Sequence, residues 1–345
     1  MKTPERRIAL DATYSIGRNL SGVGIYSREI AAALARAHPE TRFLYCYRPH
    51  RLLRSFSTPL PPNAGRRLLR GSGPRADLFH GFNQRLDRRY RRTVATFHDL
   101  FVMTGEYSTP EFRERFTEQA RLAAERADIV IAVSEFTARQ VEELLRVERS
   151  RIRVIPHGVR QVEIAEDVPR EQMILFVGAI QKRKNITRLV AAFEAAPPGW
   201  RLVLAGASGF GAEEALVAVQ NSPRAADITV TGYVDDFELD LLYRRASLFA
   251  FPSLDEGFGI PVLEAMARGV PVLTSDRSAL PEVAGNAALL VDPSSTEALA
   301  AALRTLIADE DLRRELSRRG LERSRSYTWS RAAEATWKVY CDLLR

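Results

Sequence analysis

The chain has 345 residues, 46% hydrophobic and 27% charged, with 50 Lys and Arg against 43 Asp and Glu, so it exceeds one typical core and predicts two domains. No apolar run reaches the roughly 18–20 residues that span a bilayer, and the first residues lead into Ile8, Ala9 and Leu10 without the apolar core of a signal peptide. Cys46 and Cys341 stand at opposite ends, which argues against a disulfide framework or a cysteine metal site, and a cytoplasmic enzyme is expected.

Apolar runs alternate with helical patterns throughout, the order that builds parallel α/β sheets. Strands are predicted at 8–11, 43–47, 78–80, 93–97, 129–133 and 152–155, with helices at about 23–37, 110–126 and 135–146. After a linker at 156–170, marked by Pro156, Gly158 and Pro169, a second series follows at 174–177, 202–205, 228–231, 248–251, 270–274 and 288–291. From Thr296 onward the pattern is helical, and its last segment has Ala332, Ala333, Trp337, Val339, Tyr340 and Leu343 available for packing. Residues 59–62 and 70–74 read as surface loops. The reading gives domains at 1–160 and 161–328, with a helix at 329–345 that is a candidate to return over the first domain, although periodicity alone does not say where a helix docks.

Charge is uneven. Residues 42–92 carry 13 arginines, from Arg42 to Arg92, against only Asp77 and Asp87. Such a segment attracts an anionic membrane surface, a phosphate-bearing acceptor or nucleic acid, and it also serves as a plain solubilising surface. Nucleic acid is the weakest of these, because no RNP-type aromatic pattern, zinc-finger spacing or helix-turn-helix accompanies the charge.

The most informative stretch runs from Phe251 to Gly269. Glu256, Gly257, Phe258 and Gly259 fall between an apolar strand and Ile260-Pro261, with Pro261 at the predicted first helical position and Glu264 on the first turn. A glycine loop entering a helix start converges backbone N–H groups on an anion, which suits a diphosphate, and flanking carboxylates suit sugar or ribose hydroxyls. Each residue alone also fits a solvated βαβ turn; the spaced set favours a nucleotide-sugar.

Other candidates stand at strand ends. Gly22 and Gly24 follow the first strand, where a tight turn explains them as well as a phosphate or acceptor contact does; no Walker loop or full Gly-x-Gly-x-x-Gly fingerprint is present. His98, followed by Asp99, ends the strand at 93–97, where a His can bond a sugar hydroxyl or move a proton, although most histidines do neither. His38, His50, His80 and His157 form no metal pattern. Gln181 to Asn185 follow the strand that ends before Gly178, and of the three cations there Arg183 and Lys184 are placed to neutralise a departing diphosphate.

With these residues placed, the chain resembles the GT-B glycosyltransferases of retaining family 4, particularly mannosyltransferase-B-like members, over nearly its full length. Glu256 to Glu264 look like the family's E-x7-E motif; Gly269 to Val272, Leu280 to Gly285, Gly178, Arg183 to Asn185, Gly232 to Val234, Tyr243, Ser21 to Gly24 and His98-Asp99 match as well. The resemblance implies two facing Rossmann-like domains with a ligand cleft between them. It assigns Glu264 to the ribose, Glu256 and His98 to the transferred sugar, and the amides of Phe258 and Gly259, with Arg183 and Lys184, to the diphosphate. Gly22 and Gly24 would face the diphosphate and acceptor; Gly178, Val234, Gly257 and Ile260 complete the donor site. One departure is Ala179, where many relatives carry Arg, which leaves Arg183 and Lys184 with more of the task.

The implied reaction transfers a hexosyl group with retention, without a metal or bound cofactor. The implied donor is GDP-mannose or a GDP-deoxyhexose, and the acceptor a lipid-linked or surface-polysaccharide glycan. The enzyme would be cytoplasmic, with the segment from Arg42 to Arg92 as the candidate contact with the inner face of an anionic membrane. A nucleotide-sugar 2-epimerase, another GT-B enzyme such as a glucan synthase or phosphorylase, and a non-catalytic subunit that binds glycan or membrane are the competing readings. A glycosidase pair, with carboxylates about 5–5.5 Å apart, is only superficially similar.

Overall fold

The computed structural model describes residues 6–17, 19–70, 75–88, 90–162 and 168–345. Residues 71–74 of the predicted loop, 163–167 of the predicted linker and Arg89 of the basic segment lie outside them. The chain divides into two compact units. One comprises Met1–Thr104, Thr109–Gly158 and Tyr327–Arg345; the other comprises Gly105–Ser108 and Val159–Ser326.

In the first unit the elements are β1 (Arg7–Asp11), α1 (Gly22–Ala37), β2 (Arg42–Tyr47), α2 (Pro49–Ser55), β3 (Ala64–Leu68), β4 (Leu78–Gly81), β5 (Thr93–Phe97), α3 (Phe101–Thr104), α4 (Pro110–Arg126), β6 (Ile129–Ala132), α5 (Glu135–Leu145) and β7 (Ile152–Val154). The strands form one parallel sheet in the order β3-β2-β1-β4-β5-β6-β7. Both faces of its central strands are buried, and the two-residue period of a strand sorts their side chains between them. Ile8, Leu10, Phe43, Tyr45 and Tyr47 pack on the side of α1, while Ala9, Leu44, Cys46, Ala95 and Phe97 pack with Phe116, Ala120 and Val141 of α4 and α5.

β3 was not anticipated. Ala64, Gly65, Arg66, Arg67 and Leu68 contain no apolar run, yet they pair with β2 from Phe43↔Ala64 to Tyr47↔Leu68. An edge strand needs only one partner, and arginines there discourage a further strand from adding.

The second unit holds β8 (Glu171–Val177), α6 (Ile186–Phe193), β9 (Arg201–Ala205), α7 (Ala212–Asn221), β10 (Ile228–Gly232), α8 (Asp236–Arg245), β11 (Ala246–Phe251), α9 (Ile260–Ala267), β12 (Val272–Ser275), α10 (Leu280–Ala284), β13 (Ala288–Val291), α11 (Thr296–Ala308) and α12 (Glu310–Ser324). Its parallel sheet runs β10-β9-β8-β11-β12-β13, the Rossmann order. Strand order reverses between β8 and β11, and the first sheet reverses likewise between β1 and β4. Ligands in open α/β sheets bind outside the carboxyl ends of strands at such reversals. A last helix, α13 (Trp329–Leu343), belongs to the first unit, where Ala332, Ala333, Val339 and Tyr340 join the core against α1.

Candidate active site

The loops that leave β8 and β11 are laced together. Lys182–Lys184 form one 3-10 turn, and Asn185 then takes the left-handed conformation, at φ +60°, to open α6. Asn tolerates that conformation better than most residues. Its side-chain amide donates to the carbonyls of Pro252, at 3.1 Å, and Pro293, at 2.7 Å. The Leu254 N–H donates to the Arg183 carbonyl at 2.9 Å, and Arg183 Nη1 to the Asp255 carbonyl at 2.5 Å.

These bonds bring Glu256 between two cations. Arg183 Nη1 lies 2.7 Å from Glu256 Oε2, and Lys184 Nζ lies 2.5 Å from Oε1. All three side chains are buried. Burial alone would raise the Glu256 carboxyl, but Arg183 and then Lys184 outweigh it and hold it at about 2. Lys184 Nζ also sits 4.5 Å from the centre of the Phe251 ring, a cation–π contact. Two buried cations flank one carboxylate, a gathering of positive side chains that complements an anion.

The turn into α9 is shaped by Gly259, the residue just before the helix, at φ +110°. A Cβ there would also fall 2.7 Å from Leu280 Cδ2, so a side chain is excluded on two grounds. Two details of the sequence reading change. Pro261 is the second helical residue, because α9 starts at Ile260, and Glu264 is the fifth, one full turn in. At that depth Glu264 projects from the helix side rather than its start. It is partly exposed, and Oε2 accepts a hydrogen bond from the buried Tyr243 hydroxyl at 3.1 Å. Burial pushes the Glu264 carboxyl up; Arg268 and the Tyr243 bond pull it down. Arg268 in turn stacks over Tyr243 at 4.9 Å and pairs with Asp240 at 2.9 Å. The sequence reading gave Tyr243 no role. Twenty-one residues separate it from Glu264, and no local pattern joins them.

Gly178 follows β8, and a Cβ on it would lie 3.7 Å from Lys184 Cε. A Cβ on Gly206, after β9, would lie 2.0 Å from the Gly178 carbonyl, so the two loops touch backbone to backbone. Gly206 also bridges to Gly232, which ends β10. Val234 therefore follows a strand end that is tied, through Gly206, to the Lys184 side of the site.

In the first unit, Ser21 caps α1 and accepts from the Gly24 N–H at 3.4 Å; Gly22 and Gly24 are the helix's first and third residues. His98 is 7% exposed. Its Nε2 lies 2.7 Å from the Phe82 carbonyl, which can only accept, so Nε2 carries the proton. Nδ1 then holds the lone pair and faces His157 Nε2 at 3.4 Å. Burial pushes His98 down to about 4, against the Phe82 bond, and pushes His157 well below its ordinary value. The sequence pattern gives His157 no role beyond its lack of a metal arrangement, although it too follows a strand's carboxyl end, the signal that singles out His98.

A hydrogen-bonded chain lies behind this pair. Tyr340 of α13 bonds His80 Nδ1 at 2.6 Å, His80 Nε2 bonds Thr96 at 2.8 Å, and Thr96 bonds Tyr26 at 2.9 Å. The Tyr26 ring meets His98 edge-on at 4.8 Å. Tyr340→Phe keeps the ring but strips His80 of one partner in a fully buried place. It is expected to cost about 1–3 kcal/mol in denaturant unfolding, with no change in nucleotide-induced stabilisation.

Two parallel Rossmann-like sheets, one with a cationic site at its strand reversal, define an α/β protein of two Rossmann-like units. Residues 20–161 match the model of glycosyltransferase family 4, and residues 161–323 match that of glycosyl transferases group 1. O-antigen chain mannosyltransferase B of Escherichia coli is 32% identical over 280 residues, 76% of this chain and 74% of that one. A serotype-specific mannosyltransferase of the same organism is 29% identical over 278 residues, 74% of this chain but 34% of that longer protein. Among solved structures, sucrose-phosphate synthase from Thermosynechococcus elongatus superposes with a TM-score of 0.77 at 25% identity, covering 98% of this chain and 99% of that one. The chain belongs to glycosyltransferase family 4 and is a glycosyltransferase of the GT-B type.

Proposed function

We propose that the enzyme moves a hexosyl group, mannose by preference, from a nucleoside-diphosphate sugar to a glycan or lipid-linked glycan, with retention at the anomeric carbon. The Arg183–Glu256–Lys184 cluster at the β8/β11 reversal supports this most, because it gathers two buried cations where a diphosphate would lie. In this reading the second unit takes the donor. The amides of Phe258 and Gly259 hold the diphosphate beside Arg183 and Lys184, Gly178, Val234, Gly257 and Ile260 line the donor, and Glu264 takes the ribose hydroxyls. Each Glu256 oxygen keeps a second lone pair for a hydroxyl of the transferred sugar.

The first unit takes the acceptor, with Gly22 and Gly24 at its entrance. His98 exchanges the Phe82 carbonyl for a sugar hydroxyl. As the bond between the anomeric carbon and the diphosphate breaks, the acceptor oxygen bonds on the same face and its proton passes to the leaving diphosphate. Arg183 and Lys184 stabilise the charge that grows there. The mannosyltransferase relatives support mannose as the transferred sugar, with GDP-mannose or a GDP-deoxyhexose as the proposed donor, and residues 42–92 support a peripheral place on an anionic membrane.

A thermal-shift screen with GDP, UDP, ADP and dTDP tests the donor. A ligand at about a hundred times its Kd adds about 2.7 kcal/mol of stability, and GDP is expected to give the largest shift. No shift from any of the four at millimolar concentration would sink the donor reading. Glu264→Ala is expected to weaken nucleoside-diphosphate binding about 10- to 100-fold, the worth of a hydrogen bond to a charged group, and to leave inorganic diphosphate binding unchanged. Equal weakening of both would remove Glu264 from the ribose.

A further inference from the structure

The strands of the first sheet are parallel, so their amino ends share one rim and their carboxyl ends, with His98 just past β5, share the other. The amino rim holds a cavity of about 1140 Å³. Arg6 and Arg7 line it at the start of β1, Arg75 just before β4, and Arg91 and Arg92 just before β5. The end of α13 lines it as well, through Trp337 and the leucines at 343 and 344. β5 spans five residues, roughly 16 Å, and that length separates the cavity from His98.

None of these five arginine side chains pairs with a carboxylate among the described residues. The two acids of the rim are engaged by other groups: Asp77 accepts the Arg7 backbone N–H at 2.9 Å, and Glu40 faces His38 at 3.6 Å. On α12, by contrast, Arg314 pairs with Glu310 at 2.8 Å and Arg319 with Glu315 at 2.7 Å. Like charges gathered without counter-charge repel, and a polyanion relieves them. Guanidinium forks match phosphate oxygens in bidentate pairs. The remaining lining is apolar. Trp337 stacks one ring face on His38 at 3.7 Å and packs on the core with Leu343 and Leu344, yet all three stay partly exposed beside the arginines. A flat base covers such a wall while its phosphates reach the cations.

We propose that this cavity is a second nucleotide site, for a soluble nucleoside triphosphate that takes no part in the transfer. The five arginines hold the triphosphate, and the base lies against Trp337 and Leu344. Inorganic phosphate would use the arginines and leave the apolar wall in water. A nucleic-acid strand needs an open track, whereas a cavity takes one ligand. Arg92 Nε donates to the Leu343 carbonyl at 2.9 Å, which ties the start of β5 to α13, the helix whose Tyr340 holds His80. A ligand across these elements braces them, and because it binds only the folded unit it raises stability by mass action. The inference stands apart from the donor and acceptor readings.

Isothermal titration of the full chain with ATP, at saturating GDP and about 150 mM salt, tests it. One ATP per chain is expected to bind beside GDP. Arg75→Glu with Arg91→Glu is expected to weaken ATP about tenfold or more, with the urea midpoint and the GDP-induced thermal shift verifying folding. Trp337→Leu is expected to weaken ATP about tenfold and to leave inorganic triphosphate unchanged. No ATP bound beside GDP overturns the proposal, as does full-strength binding to the charge-reversed variant. Inorganic triphosphate that binds as tightly as ATP overturns the assignment to a nucleotide. A chain that binds ATP in this way yet shows no GDP-induced shift overturns the donor reading alone.

Discussion

Glu256→Gln is expected to cost the ligand-free chain about 3–5 kcal/mol of stability and to lower turnover about a hundredfold or more, while free nucleoside diphosphate binds at least as tightly. Three features lead to this. Glu256 neutralises Arg183 at 2.7 Å and Lys184 at 2.5 Å in a buried place, so its removal leaves two cations without their carboxylate. The local charge becomes more positive by one, which favours a diphosphate. The alignment of both cations is lost together with the carboxylate, so the gain in binding does not become a gain in rate. Urea unfolding with and without GDP, set beside kcat, separates these effects, and GDP should restore much of the lost stability. The pH dependence adds a check. The Glu256 carboxyl is depressed to about 2 in the folded chain, so its stabilisation is complete above about 4.5 and disappears as pH falls toward 2. The glutamine variant should lack that part of the acid curve. Wild-type turnover, or weakened GDP binding, would overturn the arrangement.

How much of this was legible in the sequence follows from what each residue's position depends on. Both sheets were readable because strands buried on two faces leave continuous apolar runs such as 93–97 and 248–251. β3 was hidden because an edge strand of arginines leaves no such run. Gly259 and Ile260 stand where a strand–loop–helix pattern puts them, and Glu256 falls in the same loop. The ion pairs of Glu256 were not readable, since 72 residues separate it from Lys184 and only the order β8-β11 makes them neighbours. His157 is a different case. The strand-end rule applied to it as it did to His98, but 59 residues of chain concealed the pairing.

Lowering the pH is expected to unfold the first unit near pH 4–6, well before Glu256 titrates. His80, His98 and His157 are 0%, 7% and 3% exposed and pack within one aromatic cluster with Tyr26. Burial holds His80 at about 3 and His98 at about 4, and His157 is lowered in the same direction, with the charge of His98 acting on the other two. A folded value depressed below the unfolded value of about 6.5 means that the unfolded chain binds more protons between the two. Stability from these residues is therefore complete above about 6.5 and is lost as pH falls toward 4. Three protons correspond to a slope of up to about 4 kcal/mol per pH unit, and a domain holds only about 5–15 kcal/mol in total. Trp329, whose ring lies 6.0 Å from that of His157, reports the transition by fluorescence, and its midpoint should move to lower pH in His80→Gln if packing is retained. A wild-type chain whose urea midpoint at pH 4.5 equals that at pH 7 would mean that these histidines are charged when folded, and the neutral Nδ1 lone pair of His98 would be ruled out.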